Sequence, residues 1–124
     1  MILVDSSGWL EFLTEGPLAD AYAQHLRRLH EIVTPTIVLY EVYKVVKRER
    51  GEEEALAVAG QMGKTRLIPF TDSIALAAAD AALTYRLAMA DAAVYATALS
   101  EGAKLITSDS DLAALPGVHY LKKS

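Results

Sequence analysis

Ala103-Lys104-Leu105-Ile106-Thr107-Ser108-Asp109-Ser110-Asp111 is the stretch that decides how this chain folds. A short apolar run, too brief for a stable helix, closes on residues that favour turns and helix starts. That is the pattern of a buried strand feeding a helix. The chain opens in the same way, with apolar residues 1–4 stopping at Asp5-Ser6-Ser7-Gly8.

Working outward, Trp9, Leu10, Phe12 and Leu13 have helical spacing that ends at Gly16-Pro17. Leu18, Tyr22, Leu26 and Leu29 mark a second helix over 18–30. Glu31-Ile32-Val33 is a short strand. Thr34-Pro35 then reads as a helix start, hydroxyl cap followed by first-turn proline, for a helix running to Arg50 and stopped by Gly51. Residues 52–62 form another helix with acids in its first turn, where the helix dipole favours them. Residues 65–70 read as a strand, and Thr71-Asp72 caps an alanine-rich helix reaching about Leu87. Asp91 opens a helix over 91–100, ended by Gly102. After the strand at 103–107 come a short helix at 111–115, stopped by Pro116-Gly117, and a last strand at 118–121.

Strands alternating with helices predict an α/β fold with a mostly parallel central sheet covered by helices on both faces. No repeat, linker or low-complexity segment interrupts the pattern, so residues 1–124 are expected to form a single domain.

The bulk numbers narrow the function classes. With 52% hydrophobic and 23% charged residues, a chain of 124 is neither disordered nor membrane-spanning in composition. Its most apolar region, 74–99, is broken by Asp80, Arg86 and Asp91, so no uncharged run approaches the ~20 residues of a span. The N-terminus lacks the basic region of a signal peptide. The absence of cysteine removes disulfide and thiolate-metal chemistry and is compatible with the cytoplasm. A net charge of −4 runs against the usual basic character of nucleic-acid binders. Two bound divalent cations would bring it to about zero, so charge alone does not decide.

Ligands of open α/β sheets bind at the carboxyl ends of the strands. Asp5 and Asp109 sit there, and each could equally cap the helix that follows. The neighbouring serines Ser6, Ser7, Ser108 and Ser110 are able to cap in their place. Glu41 is harder to explain as a surface residue, because Ile37-Val38-Leu39-Tyr40 and Val42-Tyr43 surround it. An unpaired carboxylate in such a setting costs several kcal/mol if buried, and a surface ion pair with Lys44 is the plain alternative. Asp91 is either a cap or a site residue on a helix whose alanines pack closely on the sheet. Asp80 has similar surroundings but no element boundary and reads as an ordinary helix residue. The acids Glu49, Glu52, Glu53 and Glu54 interleave with Arg48 and Arg50 as a solvated face.

Clustered carboxylates repel one another unless a cation neutralises them, and magnesium and manganese prefer oxygen ligands. No serine–histidine pair, glycine-rich phosphate loop or histidine metal spacing offers a rival chemistry. His25, His30 and His119 read as surface residues near chain or helix ends.

The order of these signals resembles the PIN domain. V-D-S-S ends the first strand, E lies within T-P-T-I-V-L-Y-E-V, and L-A-M-A-D-A-A-V-Y-A-T-A precedes L-I-T-S-D-S-D-L. The closest resemblance is to the VapC-type toxins of toxin–antitoxin pairs, and it spans essentially the whole chain. It implies a three-layer α/β/α fold and a divalent-metal-dependent endoribonuclease using Mg2+ or Mn2+. RNA phosphodiesters would be hydrolysed through a metal-activated water. It further implies a cytoplasmic homodimer and a cognate small antitoxin protein. Carried over position by position, Asp5, Glu41, Asp91 and Asp109 are the metal-binding catalytic acids. Ser6 (or Ser7), Thr107 and Asp111 stand as supporting groups. Many such toxins resemble T-R-D at the last motif, whereas this chain has Thr107-Ser108-Asp109. The missing arginine puts a phosphate or RNA contact there in doubt. Lys44, Lys47, Arg48, Lys64, Arg66, Arg86 and Lys104 are the candidates to guide an RNA backbone.

Two other readings stay open. A Toprim-like metal-dependent phosphotransfer domain would use Asp109-Ser110-Asp111 but wants glutamate where this chain has Asp5. A non-catalytic PIN-like binding module would keep the fold, although such copies usually lose an acid and all four positions are filled here.

Overall fold

The computed structural model describes residues 1–123. Five strands, β1 (Ile2–Val4), β2 (Ile32–Pro35), β3 (Arg66–Ile68), β4 (Lys104–Thr107) and β5 (Val118–Tyr120), join in one sheet of order β3-β2-β1-β4-β5. Every pairing is parallel, with Leu3 lying beside Val33 on one side and Leu105 on the other. Six helices flank the sheet: α1 (Ser6–Leu13), α2 (Ala19–His25), α3 (Thr36–Arg50), α4 (Glu52–Met62), α5 (Asp72–Tyr85) and α6 (Met89–Glu101). The fold is the three-layer α/β/α arrangement with a parallel sheet that the alternating pattern predicts.

The central strands β1 and β2 are apolar but for Thr34 because they are covered on both faces, as buried parallel strands are. Leu3, Val4, Ile32, Val33, Leu105 and Ile106 are at most 1% exposed and form the middle of the core. Helix α6 contributes an unbroken buried run from Ala92 to Ala98. Its alanines and Val94 let the helix backbone approach its neighbours closely, so the position of its first turn is set by packing on several sides.

Four boundaries differ from the pattern reading, each for a local reason. Helix α2 ends at His25, with Leu26 as its cap, and Leu29–Glu31 forms a single 3-10 turn. Leu26 and Leu29 still pack on the core, so their spacing reported burial and not a continuous helix. Thr34 is not a cap. It lies inside β2, fully buried, with its hydroxyl hydrogen-bonded to that of Thr65 at 2.7 Å, and Pro35 takes the cap position instead. Helix α6 starts at Met89 with Ala88 as cap, so Asp91 sits inside the first turn and does not open the helix. The segment expected as a helix over 111–115 is a 3-10 turn at Ser110–Leu112.

A buried carboxylate with an exposed lysine partner has no signal in the sequence. Glu11 is 4% exposed, accepts from the Leu18 backbone N–H at 2.8 Å and meets Lys123 Nζ at 2.9 Å. Chiefly that backbone donor holds its carboxyl below the usual range. Gly16 leaves room for it, since a methyl at Gly16 would overlap the Glu11 carboxylate. No helix among the described residues is long and apolar enough to cross a membrane.

Candidate metal centre

The carboxyl ends of β1 and β4 lie side by side, with Val4 beside Ile106. Sheet pairing therefore brings the residues just beyond, Asp5 and the 107–109 segment, into contact although about a hundred positions separate them. Asp5 is 5% exposed, which an aspartate tolerates only with its oxygens hydrogen-bonded. One oxygen accepts from the Ser7 hydroxyl at 2.7 Å and the Gly8 N–H at 3.2 Å, the other from the Thr107 hydroxyl at 2.6 Å. Burial nevertheless raises the Asp5 carboxyl above its ordinary range, against these donors, with Asp109 adding repulsion.

Thr107 passes the order on, because its hydroxyl accepts from the Asp109 N–H at 2.9 Å. Asp109 in turn accepts from the Asp111 N–H at 2.9 Å, capping the 3-10 turn. Asp5 and Asp109 thus do cap the helical turns that follow, and the same geometry gathers their charges.

Carboxylate oxygens of Asp91, Asp109 and Asp111 lie within 4.8 Å of one another. Asp91 reaches them from the first turn of α6. Its carboxyl is pushed up to about 7, first by burial, then by the adjacent Asp109 carboxyl, with Asp111 and Asp5 adding to the effect. Glu41, half-buried on α3, also feels Asp5 and Asp109. Burial raises its carboxyl, and a hydrogen bond with Ser6 works in the opposite direction. Among the described residues Glu41 makes no ion pair; Lys44 instead places its Nζ 5.1 Å from the Tyr40 ring centre. Asp80 is exposed on α5, away from any acid cluster.

The structure therefore collects all four acids singled out in the sequence around one end of the sheet, with Asp111 among the closest three. Hard oxygen donors at this spacing, whose mutual repulsion a cation would relieve, suit a divalent ion of the magnesium or manganese kind. Thr107 and Ser7 orient Asp5, and Ser6 contacts Glu41. The basic residues do not gather in the same way. Lys64, Arg66 and Lys104 lie at the amino ends of β3 and β4, and Arg66 pairs with Glu101 at 3.3 Å. Lys47 and Arg48 pair with Glu52 and Glu49. Lys44 is the one whose charge reaches Glu41.

Of the two serines offered as the hydroxyl after the first acid, Ser7 is the one that donates to Asp5, and sequence reasoning missed Tyr22 and the role of Ser108. The Ser108 N–H donates to the Ser7 hydroxyl at 3.1 Å, and Ser108 Oγ shares a 2.6 Å hydrogen bond with the Tyr22 hydroxyl. Tyr22 carries only its helical spacing in sequence, which marks a core position and nothing more.

The family model described as PIN domain matches residues 2–118. The chain belongs to the PIN domain family. No curated protein matches it, but solved structures share its fold. A toxin–antitoxin complex from Klebsiella pneumoniae aligns with TM-score 0.80 at 23% identity, covering 98% of this chain and 100% of that one. VapC20 of Mycobacterium tuberculosis, a toxin that cleaves the sarcin–ricin loop, aligns with TM-score 0.77 at 21% identity over 99% and 100% of the chains. VapBC2 from Rickettsia felis, bound to a DNA fragment from its promoter, gives 0.76 at 17% identity over 98% of each. PIN-family membership makes this chain a member of a nuclease family, and the acid cluster stands where the fold places its ligand end.

Proposed function

We propose that this protein is a divalent-metal-dependent endoribonuclease and the toxin of a type II toxin–antitoxin pair. The observation that carries the reading is the crowding of Asp91, Asp109 and Asp111 within 4.8 Å. Such crowding is unfavourable in an empty pocket and favourable around a cation. The alternative of a non-catalytic module has no need for it, and a Toprim-like domain shares neither the family match nor the glutamate it would want at Asp5.

In this reading Asp91, Asp109 and Asp111 hold magnesium or manganese, and Asp5 and Glu41 complete the acidic wall. When bound there, the ion supplies the charge that activates water and offsets the charge developing on a phosphate. The chain's own groups keep the geometry. Thr107, Ser7 and the Gly8 N–H restrain both oxygens of Asp5. Lys44, one turn beyond Glu41, offers a positive charge to an approaching phosphate. Purified protein incubated with total RNA should yield discrete cuts in Mg2+ or Mn2+ and none with excess chelator. Intact RNA under both conditions, or equal cleavage in chelator, contradicts the proposal.

A partner protein forms the second half of the reading. Between α1, α2 and α4 runs an apolar groove of about 490 Å3, lined among others by Trp9, Phe12, Leu13, Leu26 and Val58. Trp9 is 3% exposed, yet its Nε1–H has no hydrogen-bond acceptor among the described residues. An apolar segment of the antitoxin laid in this groove would cover its walls and can bring a backbone carbonyl to that donor. Several of the fold's neighbours are themselves toxin–antitoxin complexes, which supports this choice of occupant. Ala57→Arg, at an exposed position of the groove, should abolish co-purification with the small protein encoded alongside and leave RNA cleavage unchanged. Retained co-purification would place the partner elsewhere. The reading also expects a homodimer, for which Leu76 and Leu83, 71% and 83% exposed on α5, offer an apolar stripe.

A further inference from the structure

Tyr22 is fully buried, and its ring crosses the first turn of α1. Gly8 makes that crossing possible, because a methyl at Gly8 would overlap the Tyr22 ring. The hydroxyl at the end of the ring reaches Ser108, 86 residues further along the chain, at 2.6 Å. A buried tyrosine needs some partner, and a backbone carbonyl in its own layer would satisfy it. Here the partner is instead the residue between Thr107, which donates to Asp5, and Asp109, whose carboxyl meets Asp91 and Asp111.

Both polar groups of Ser108 that could swing freely are held. The N–H is tied to Ser7, which itself donates to Asp5, and the hydroxyl is tied to Tyr22. Ser7 fixes the segment from α1, and Tyr22 fixes it from α2. We propose that Tyr22 is a positioning residue. Through Ser108 it sets the segment after β4 so that Asp109 and Asp111 converge with Asp91 on one cation. The inference rests on the metal reading of the acid cluster. It assigns a role to α2, which contributes no acid to the site.

Outer-shell hydrogen bonds to metal ligands are each worth about 10–100-fold in affinity or activity. Tyr22→Phe keeps the ring that fills the core and removes only the hydroxyl. Calorimetric titration with Mn2+ should show affinity about 10-fold weaker in Tyr22→Phe and in Ser108→Ala. Because the two act through one contact, the double variant should be no weaker than either single one, and Ser108→Thr, which restores a hydroxyl, should recover affinity. Circular dichroism melting in chelator reports fold separately; if Tyr22→Phe does not fold, the half-buried Ser108 variants carry the comparison. Wild-type Mn2+ affinity in Ser108→Ala, or losses that add in the double variant, would overturn the inference alone. Failure of the unaltered protein to bind Mn2+ would overturn the metal reading and this inference with it.

Discussion

Asp91→Asn is expected to lower metal-dependent RNA cleavage by more than about 100-fold, since even outer-shell groups reach that figure and Asp91 is assigned to the ion itself. The same change should stabilise the metal-free protein at alkaline pH. The Asp91 carboxyl stands at about 7 in the folded chain against 3.8 as its ordinary value. Between those limits the folded chain keeps a proton that the unfolded chain has released, so the unfolded state binds fewer protons and stability falls as pH rises. The contribution is fully present below the ordinary value and is lost as pH passes through 7. Asp91 retains contact with solvent, so after screening the loss is on the order of 1–2 kcal/mol, or roughly 5 °C in melting temperature for a domain of this size. Asparagine keeps a hydrogen-bonding amide beside Asp109 without the charge. Melting curves in chelator at pH 5 and pH 8 should therefore converge in Asp91→Asn and diverge in the unaltered chain. Mn2+ at pH 8 should close the gap in the unaltered chain by binding the folded state. Equal pH dependence in the two proteins would refute the electrostatic account of the cluster.

The second large effect is expected at Gly8→Ala. Gly8 is buried in the first turn of α1, and a Cβ there would overlap Tyr22 and lie 2.6 Å from Val4 Cγ1. Both neighbours are 0% exposed and have no space to yield. Forcing a methyl into a packed core costs about 1–3 kcal/mol, and the better helix propensity of alanine returns less than 1 kcal/mol of that. The melting temperature should drop by roughly 5–10 °C. Cleavage should also fall, because the first turn of α1 carries Ser7 and the N–H that restrain Asp5. An unchanged or raised melting temperature would show that α1 is not seated as tightly as the packing indicates.

Much of the sheet was legible because strand and helix signals alternate cleanly. The acids at its end were legible because Asp5 and Asp109 follow apolar runs directly. Glu41 was legible through the cost of its surroundings. Other features had no local trace. Thr34 has the composition of a cap, yet pairing with β3 draws it into the sheet, and only the register reveals that. Asp91 looked like a helix start because nothing in Leu87-Ala88-Met89-Ala90 announces an earlier one; Ala88 caps without a side-chain hydrogen bond. Asp111 has its place through the 3-10 turn at Ser110–Leu112, where its N–H donates to the Asp109 carboxylate that caps the turn. Tyr22 and Ser108 meet only because α2 packs over α1 and β1 adjoins β4. Neither residue type is unusual in its own segment. Ser108 stands where the resemblance to many VapC-type toxins would put an arginine, and its hydrogen bonds run inward to Tyr22 and Ser7.

The central claim is that these carboxylates assemble an ion-dependent RNA-cleaving site. Its most direct measurement is the cleavage rate of single-stranded RNA by the purified protein as free Mn2+ is raised from chelator-buffered zero. The account predicts no cleavage without the ion and a saturable rise with it. A rate independent of Mn2+, or no cleavage at any concentration by a folded protein, would contradict it.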